Sequence, residues 1–253
     1  MKYLLFPIRM LYILYAVITF FILMIIVIPF VIGASFFGRI RGGNFLFKVC
    51  GIWADIWFFL IGIRHRNIHE SPFDKTKHYI FVANHISYLD GPLIVKTIGQ
   101  RVRVLGKEEM TRIPLFGYIY RNVVVTVDRS SPENRAKSVR ILKSILNKNI
   151  SVFIFPEGTF NHTGAPLKNF FDGAFRIAIE TQTPIKPVLF LDAYDRMHYG
   201  SALSLSPGKS RSIFLDEIAV DGLESEDLPA LKEKVYAVMD RKLREYKANW
   251  IKD

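Results

Sequence analysis

Between Met10 and Gly38 the chain carries no charged residue, and nearly every position is aliphatic or aromatic. As a helix these roughly 29 positions would extend about 43 Å, against a hydrocarbon core about 30 Å thick. The run is too long for the core of a signal peptide, and no small-x-small cleavage pattern comes after it. The segment is therefore expected to span a membrane, or to lie deep in one and bend back. Pro29 is the expected point of a kink or tilt.

The next stretch keeps the same apolar character at lower intensity. Gly38-Arg-Ile-Arg-Gly-Gly43 reads as a basic, flexible joint, and Phe45–Ile63 as an amphipathic helix interrupted by Lys48 and Asp55. Those two charges are seven apart and share one helical face. Trp53, Trp57 and Phe58 lie elsewhere on the circumference, as expected of a helix resting at a membrane interface. Arg39, Arg41, Lys48, Arg64 and Arg66 outnumber Lys2 and Arg9, which by the positive-inside rule puts the bulk of the chain on the cytoplasmic face. The whole chain has 34 Lys+Arg against 23 Asp+Glu, a net +11, which suits either nucleic acid or an anionic leaflet. The apolar N-terminus decides for the leaflet. A single cysteine, Cys50, excludes an internal disulfide and a cysteine-built zinc site.

After about residue 70 short β-branched runs alternate with helical stretches. Positions 79–83, 102–105, 123–127, 152–155, 185–191 and 213–215 read as strands, and 132–148, 173–182 and 228–246 as helices. Such alternation predicts an α/β fold with a mixed, largely parallel sheet flanked by helices, preceded by an N-terminal membrane-associated helical segment. The expected division is an anchoring segment over residues 1–66 and a catalytic domain over 67–253.

The sharpest motif is Asn84-His85-Ile86-Ser87-Tyr88-Leu89-Asp90, directly after the strand Tyr-Ile-Phe-Val-Ala. On one regular helix a His and an Asp five apart point about 140° away from each other. Pro92 implies that the helix begins near Asp90, which leaves His85 in the loop before it and lets the carboxylate turn back to the ring. An Asp on one ring nitrogen fixes the tautomer and frees the other nitrogen to take a proton. The same letters also read as a capping box, Ser87-x-x-Asp90, with a loop histidine satisfied by backbone. A second polar loop, Phe155-Pro-Glu-Gly-Thr159, closes another strand. Glu157 and the amides of Gly158 and Thr159 are candidates for binding a hydroxyl, a phosphate or a basic side chain there, unless this is a plain Pro-Glu-Gly turn.

Together these residues resemble the phospholipid/glycerol acyltransferase family, over roughly residues 70–195. Asn84, His85, Ser87 and Asp90 match its first block, Lys107 through Pro114, Gly117, Arg121 and Val127-Asp128-Arg129 its second, Phe155–Thr159 its third and Ile185–Val188 its fourth. The resemblance implies His85 as general base with Asp90 behind it, and Asn84, Ser87, Lys107, Arg121, Arg129, Glu157, Gly158 and Thr159 as substrate-binding residues. It implies an acyl thioester on CoA or acyl carrier protein as co-substrate, with no further cofactor. The acceptor would be a lysophospholipid such as 1-acyl-sn-glycerol-3-phosphate. Two departures bear on the acceptor. Phe160 stands where the third block carries Arg, and Phe171 stands where the family carries Lys. Lys107, Arg121, Arg129, Lys168 and Arg176 are the cations able to substitute, and a lyso-aminolipid is the alternative acceptor.

Other chemistries fit less well. A serine hydrolase built on Ser87 lacks a Gly-x-Ser-x-Gly elbow. Gly208-Lys209-Ser210 lacks the first P-loop glycine, since Leu203 stands there. No His-Glu-x-x-His pattern exists, so no metal is expected. Arg135, Lys137, Arg140 and Lys143 read as a solvated helix face rather than a nucleic-acid site. A non-catalytic membrane protein that keeps the fold is the remaining alternative.

Overall fold

The apolar run folds as one long helix. In the computed structural model, which describes residues 2–127 and 131–252, α1 (Lys2–Ser35) continues through both Pro7 and Pro29. Its inward stripe is Ile13, Ala16, Met24, Val27, Val31 and Ala34, all buried at helical spacing, while Leu11, Leu14, Ile18, Ile22 and Ile25 face outward. A π-helical turn (Gly38–Gly42) reverses the chain into α2 (Gly43–Leu60). The reversal depends on Gly42, where a Cβ would sit 2.1 Å from the carbonyl oxygen of Ala34. Here the structure departs from the sequence reading. Trp57 is not at a lipid interface but 5% exposed between the two helices, its Nε1 donating to the Ala16 carbonyl at 3.0 Å. Phe20 of α1 meets both Trp53 and Trp57 edge-on, with centroids 5.1 Å away in each case. The hairpin is thus glued by aromatic contacts, and its outer surface carries aliphatic residues together with Phe21, Phe30, Phe45 and Phe59. Both Phe6–Ser35 and Gly38–Leu60 are long and apolar enough to cross a membrane.

Seven strands form one sheet: β1 (Ile63–His69), β2 (Ile80–Ala83), β3 (Val102–Lys107), β4 (Val124–Val127), β5 (Ser151–Ile154), β6 (Ile185–Phe190) and β7 (Gly208–Phe214). Their spatial order is β1-β7-β6-β2-β5-β3-β4. Every pairing is parallel except β6–β7, so β1 and β7 run against the other five. All residues of β2, β5 and β6 are buried, which requires cover on both faces. Packed on the sheet are α3 (Asp90–Thr97), α4 (Phe116–Val123), α5 (Pro132–Leu146), α6 (Gly173–Thr181), the single turn α7 (Ala193–Arg196) and α8 (Leu228–Glu245). On one side α2 packs on α3, β1 and α4. Helices α5, α6 and α8 pack on one another and on the central strands.

The expected mixed, largely parallel sheet is present, with one strand more than the sequence indicated. Strand β1 was absent from the sequence reading and runs through position 66, the expected joint. Strand β7 begins five residues earlier than expected, at Gly208. Because β2, β5, β3, β4 and β6 are mutually parallel, their C-terminal ends share one edge of the sheet, and the polar loops lie on it.

Candidate active site

Strand β2 delivers the chain to that edge, and α3 starts at Asp90 as Pro92 required. The turn between them folds around one carboxylate oxygen. Oδ2 of Asp90 accepts from the backbone N–H of Ile86 at 2.8 Å, from that of Ser87 at 2.9 Å, and from Nδ1 of His85 at 2.8 Å. Asp90 is 0% exposed; these donors replace the water on Oδ2 while Oδ1 has no hydrogen-bond partner among the described residues, and the start of α3 adds a favourable dipole. Both sequence readings are therefore partly realised. Asp90 does organise the turn, and it also holds the imidazole. With Nδ1 donating, Nε2 is the proton-accepting nitrogen. Among the described residues no group hydrogen-bonds it, and the His85 side chain is 22% exposed.

Four further contacts hold His85, two on its backbone and two on its ring, and sequence reasoning missed all of them. The backbone N–H of His85 donates to Oε1 of Glu157 at 2.8 Å, and its carbonyl accepts from the N–H of Asn161 at 2.8 Å. The ring itself lies between two phenylalanines. Phe155 stacks on it at 4.0 Å and 11°, and Phe160 tilts against it at 4.4 Å. Beyond Phe160 the rings of Tyr88 at 5.1 Å and Tyr199 at 6.4 Å extend an aromatic wall. Phe155 and Phe160 were visible as letters in the motif, but nothing in their spacing announced a sandwich. Asn161 carried no signal.

The turn after β5 is built for holding. Gly158 has φ +71°, a left-handed conformation that glycine adopts freely, and its N–H donates back to the Phe155 carbonyl at 3.0 Å. That amide is consumed within the turn, which removes it as a donor to substrate. Glu157 is 0% exposed, and its second oxygen accepts from the N–H of Lys168 at 2.8 Å. Burial pushes this carboxyl up to about 8, with the two N–H donors pulling the other way. Glu157 thus works from inside, pinning the His85 loop to the segment at Lys168. Thr159 takes Nζ of Lys168 on its hydroxyl at 2.9 Å, which places that cation beside this turn.

The remaining expected residues separate into two groups. Asn84 is buried and exchanges two hydrogen bonds with the backbone of Phe190, at 2.8 and 3.1 Å, as a side-chain rung between β2 and β6. Ser87 is buried, donates to the Met197 carbonyl and accepts from the N–H of Leu89. Both side chains spend their polar atoms inside the protein, so they shape the loop rather than face a ligand. Lys107, by contrast, is exposed at the end of β3, and Arg121 is exposed on α4, donating to the Thr111 carbonyl at 2.8 Å. Since β3 runs parallel to β5 and β2, Lys107 ends β3 on the same edge of the sheet as His85. Arg176 is exposed on α6. Arg129 lies outside the described residues.

Comparison with known proteins points the same way as this geometry. The sequence profile of the acyltransferase family matches residues 63–191. The 1-acyl-sn-glycerol-3-phosphate acyltransferase of Cocos nucifera is 31% identical over 80% of this chain and 64% of its own length. The 1-acyl-sn-glycerol-3-phosphate acyltransferase alpha of Mus musculus is 29% identical over 70% of this chain and 62% of its own. The matched stretch thus spans less than two thirds of either relative. The crystal structure of the 1-acyl-sn-glycerophosphate (LPA) acyltransferase PlsC from Thermotoga maritima superposes with a TM-score of 0.75 at 25% identity, covering 96% of this chain and 98% of that one.

Proposed function

The chain belongs to the acyltransferase family, and from that membership we propose that it moves a fatty acyl group from an acyl thioester to the free hydroxyl of a lysophospholipid. The favoured acceptor is 1-acyl-sn-glycerol-3-phosphate, which would give phosphatidic acid. The observation that carries the proposal is the His85–Asp90 pair: Nδ1 held at 2.8 Å by a buried carboxylate, with Nε2 turned to a partly open site. A hydroxyl is a weak nucleophile at neutral pH, and a positioned imidazole accelerates its attack by about 10²–10⁴-fold. Nε2 of His85 takes the hydroxyl proton as the oxygen bonds to the thioester carbon. The tetrahedral centre then collapses, the C–S bond breaks, and the thiolate leaves with that proton. Asp90 stabilises the imidazolium in between without itself being protonated.

The names of the relatives support the lysophosphatidic acid acceptor, and Lys107 and Lys168 are the cations available near the turn for its phosphate. The aromatic wall of Phe160, Tyr88 and Tyr199 favours the second reading, a lyso-lipid without a free phosphate such as a lyso-aminolipid. We also propose that the outward apolar face of α1 and α2 seats the protein in a membrane, with the sheet domain on the cytoplasmic side. That orientation rests on the excess of cations that come after α1.

The test is acyl transfer from labelled acyl-CoA and from acyl carrier protein, with lysophosphatidic acid, other lysophospholipids and a lyso-aminolipid as acceptors. Wild type is compared with His85→Ala. Transfer to lysophosphatidic acid that drops at least about 10³-fold in the variant supports the full reading. Transfer confined to acceptors without the phosphate keeps the chemistry and replaces the acceptor. No transfer with any pair favours a non-catalytic protein.

A further inference from the structure

On the sheet edge that carries His85, one short segment leaves four large apolar side chains partly exposed. A 3₁₀ turn (Glu108–Arg112) succeeds β3 and leads through Ile113-Pro114-Leu115 into α4. Met110, Ile113, Leu115 and Tyr118 are 36%, 43%, 40% and 43% exposed, four large apolar side chains within nine residues. At the tip the backbone is strained. Leu115 has φ +61° and ψ −58°, and the N–H of Phe116 reaches back to the Pro114 carbonyl at 2.6 Å, a three-residue turn of the unfavourable hand. A left-handed leucine is costly, and its side chain is left 40% exposed. The opposite face of α4 is well anchored: Ile119 and Val123 are buried against Met24, Val27, Val31 and Ala34 of α1.

We propose that this Met110–Tyr118 projection is a second lipid-contacting element, which dips into the bilayer surface beside the active-site edge. The inference rests on the reading that the outer face of α1 lies in lipid. Two observations extend it to this segment. First, α4 packs directly on the inner face of α1, the same helix whose outer face exposes Ile22, Ile25 and Ile26. Second, the chemistry is that of an interface rather than of a bilayer core. The apolar tip is bordered by Lys107, Arg112 and Arg121, set against Glu108 and Glu109, on a chain of net charge +11, and Tyr118 is a residue type favoured at headgroup depth. The segment leaves β3 on the edge that carries His85. An acceptor would therefore meet the site between two lipid contacts, α1–α2 and this projection.

The test uses single-cysteine variants in a Cys50→Ala background, each carrying an environment-sensitive fluorophore. Leu115→Cys probes the projection, Phe30→Cys the outer face of α1, and Lys234→Cys on α8 serves as an aqueous reference. The full chain is reconstituted into phosphatidylcholine vesicles with and without phosphatidylglycerol. The expected result is a blue shift at positions 30 and 115 but not at 234. Quenching by iodide at position 115 should fall at least about threefold, and bromine-labelled lipid should quench there. In parallel, Leu115→Asp should lower turnover of a vesicle-borne acceptor about fivefold while leaving that of a short-chain soluble acceptor unchanged. A probe at 115 that stays as accessible to iodide as the one at 234, while 30 is protected, overturns this inference alone. Probes at both 30 and 115 left in water overturn the membrane reading beneath it. Protection at 115 that tracks protein concentration rather than lipid replaces the bilayer with a protein partner and equally defeats the proposal.

Discussion

At the scale of single residues, the site is governed by two buried carboxyl groups with opposite tasks. Asp90 faces three donors and holds the base, whereas Glu157 faces two backbone N–H groups and holds the loop that carries the base. Burial raises the Glu157 carboxyl from the usual range to about 8, so between about pH 4.5 and 8 the folded chain keeps a proton that the unfolded chain has released. Its contribution to stability is therefore fully present below about pH 4.5, declines as pH rises, and is lost by about pH 8. Glu157→Gln removes this titration and offers one acceptor oxygen instead of two. The variant should melt with a flatter pH dependence between pH 5 and 8, and its kcat should fall about tenfold as one of the two loop ties is lost. Thermal melts and rates measured across that range check both parts, and a slope as steep as wild type would refute the assignment. Only the Asp90 half of this was legible beforehand. The His85–Asp90 pairing came from a single proline at position 92. The inward roles of Asn84 and Ser87 did not, because their partners at Phe190 and Met197 are backbone groups about a hundred residues away, and main-chain acceptors leave no letter in a sequence.

At the scale of elements, what the sequence displayed depended on burial. Strands β2, β5 and β6 are covered on both faces and read as mostly apolar runs, broken by Ser151 and Lys186, while β1 reads Ile-Arg-His-Arg-Asn-Ile-His and was invisible to that criterion. Its partner β7 has a similarly polar start. The pair is explained by what lies against it, a polar seam in which His65 meets Ser210 at 3.0 Å, Asn67 donates to the Thr97 carbonyl and Thr97 meets Ser212 at 2.8 Å. A second cryptic joint is Arg103, on β3 and 4% exposed. Its guanidinium donates to Oδ1 of Asn44 and to the carbonyls of Arg39, Ile40 and Val102, all between 2.9 and 3.1 Å, which locks the turn between α1 and α2 onto the sheet. Desolvation pulls its proton affinity down, so the fold accepts a cost to keep this charge inside. Arg103→Ala would leave several buried acceptors unpaired. We expect a loss of about 3 kcal/mol or more in unfolding measured in detergent, with new proteolytic cleavage between residues 38 and 44. Cleavage elsewhere, with that turn intact, would contradict the role given to Arg103.

At the scale of the whole molecule, the two faces of α1 separate folding from attachment, and so make them testable apart. The inward stripe is part of the core: Ala16 and Val31 are 0% exposed, and deleting α1 would strip cover from α2 and α4. The expected division at residue 66 is a poor place to cut for the same reason, since it would split β1 and open the rim of the sheet. The residues of the outward stripe are about half exposed, so a charge placed there costs the fold little while opposing burial in hydrocarbon, by about 2.5–3.5 kcal/mol per Asp near a bilayer centre. Ile18→Asp, Ile22→Asp and Ile25→Asp together should leave the melting temperature in detergent almost unchanged. The same triple variant should fail to sediment with membranes and should turn over a long-chain lysophospholipid in vesicles at least about tenfold more slowly. A short-chain acceptor that dissolves in water provides the control, because His85 and Asp90 do not contact α1 and its turnover should survive. Loss of activity towards both acceptors with melting preserved would mean that α1 shapes the site itself. Retained sedimentation would mean that the remaining aliphatics of α2, with the projection at Leu115, suffice to hold the protein at the lipid.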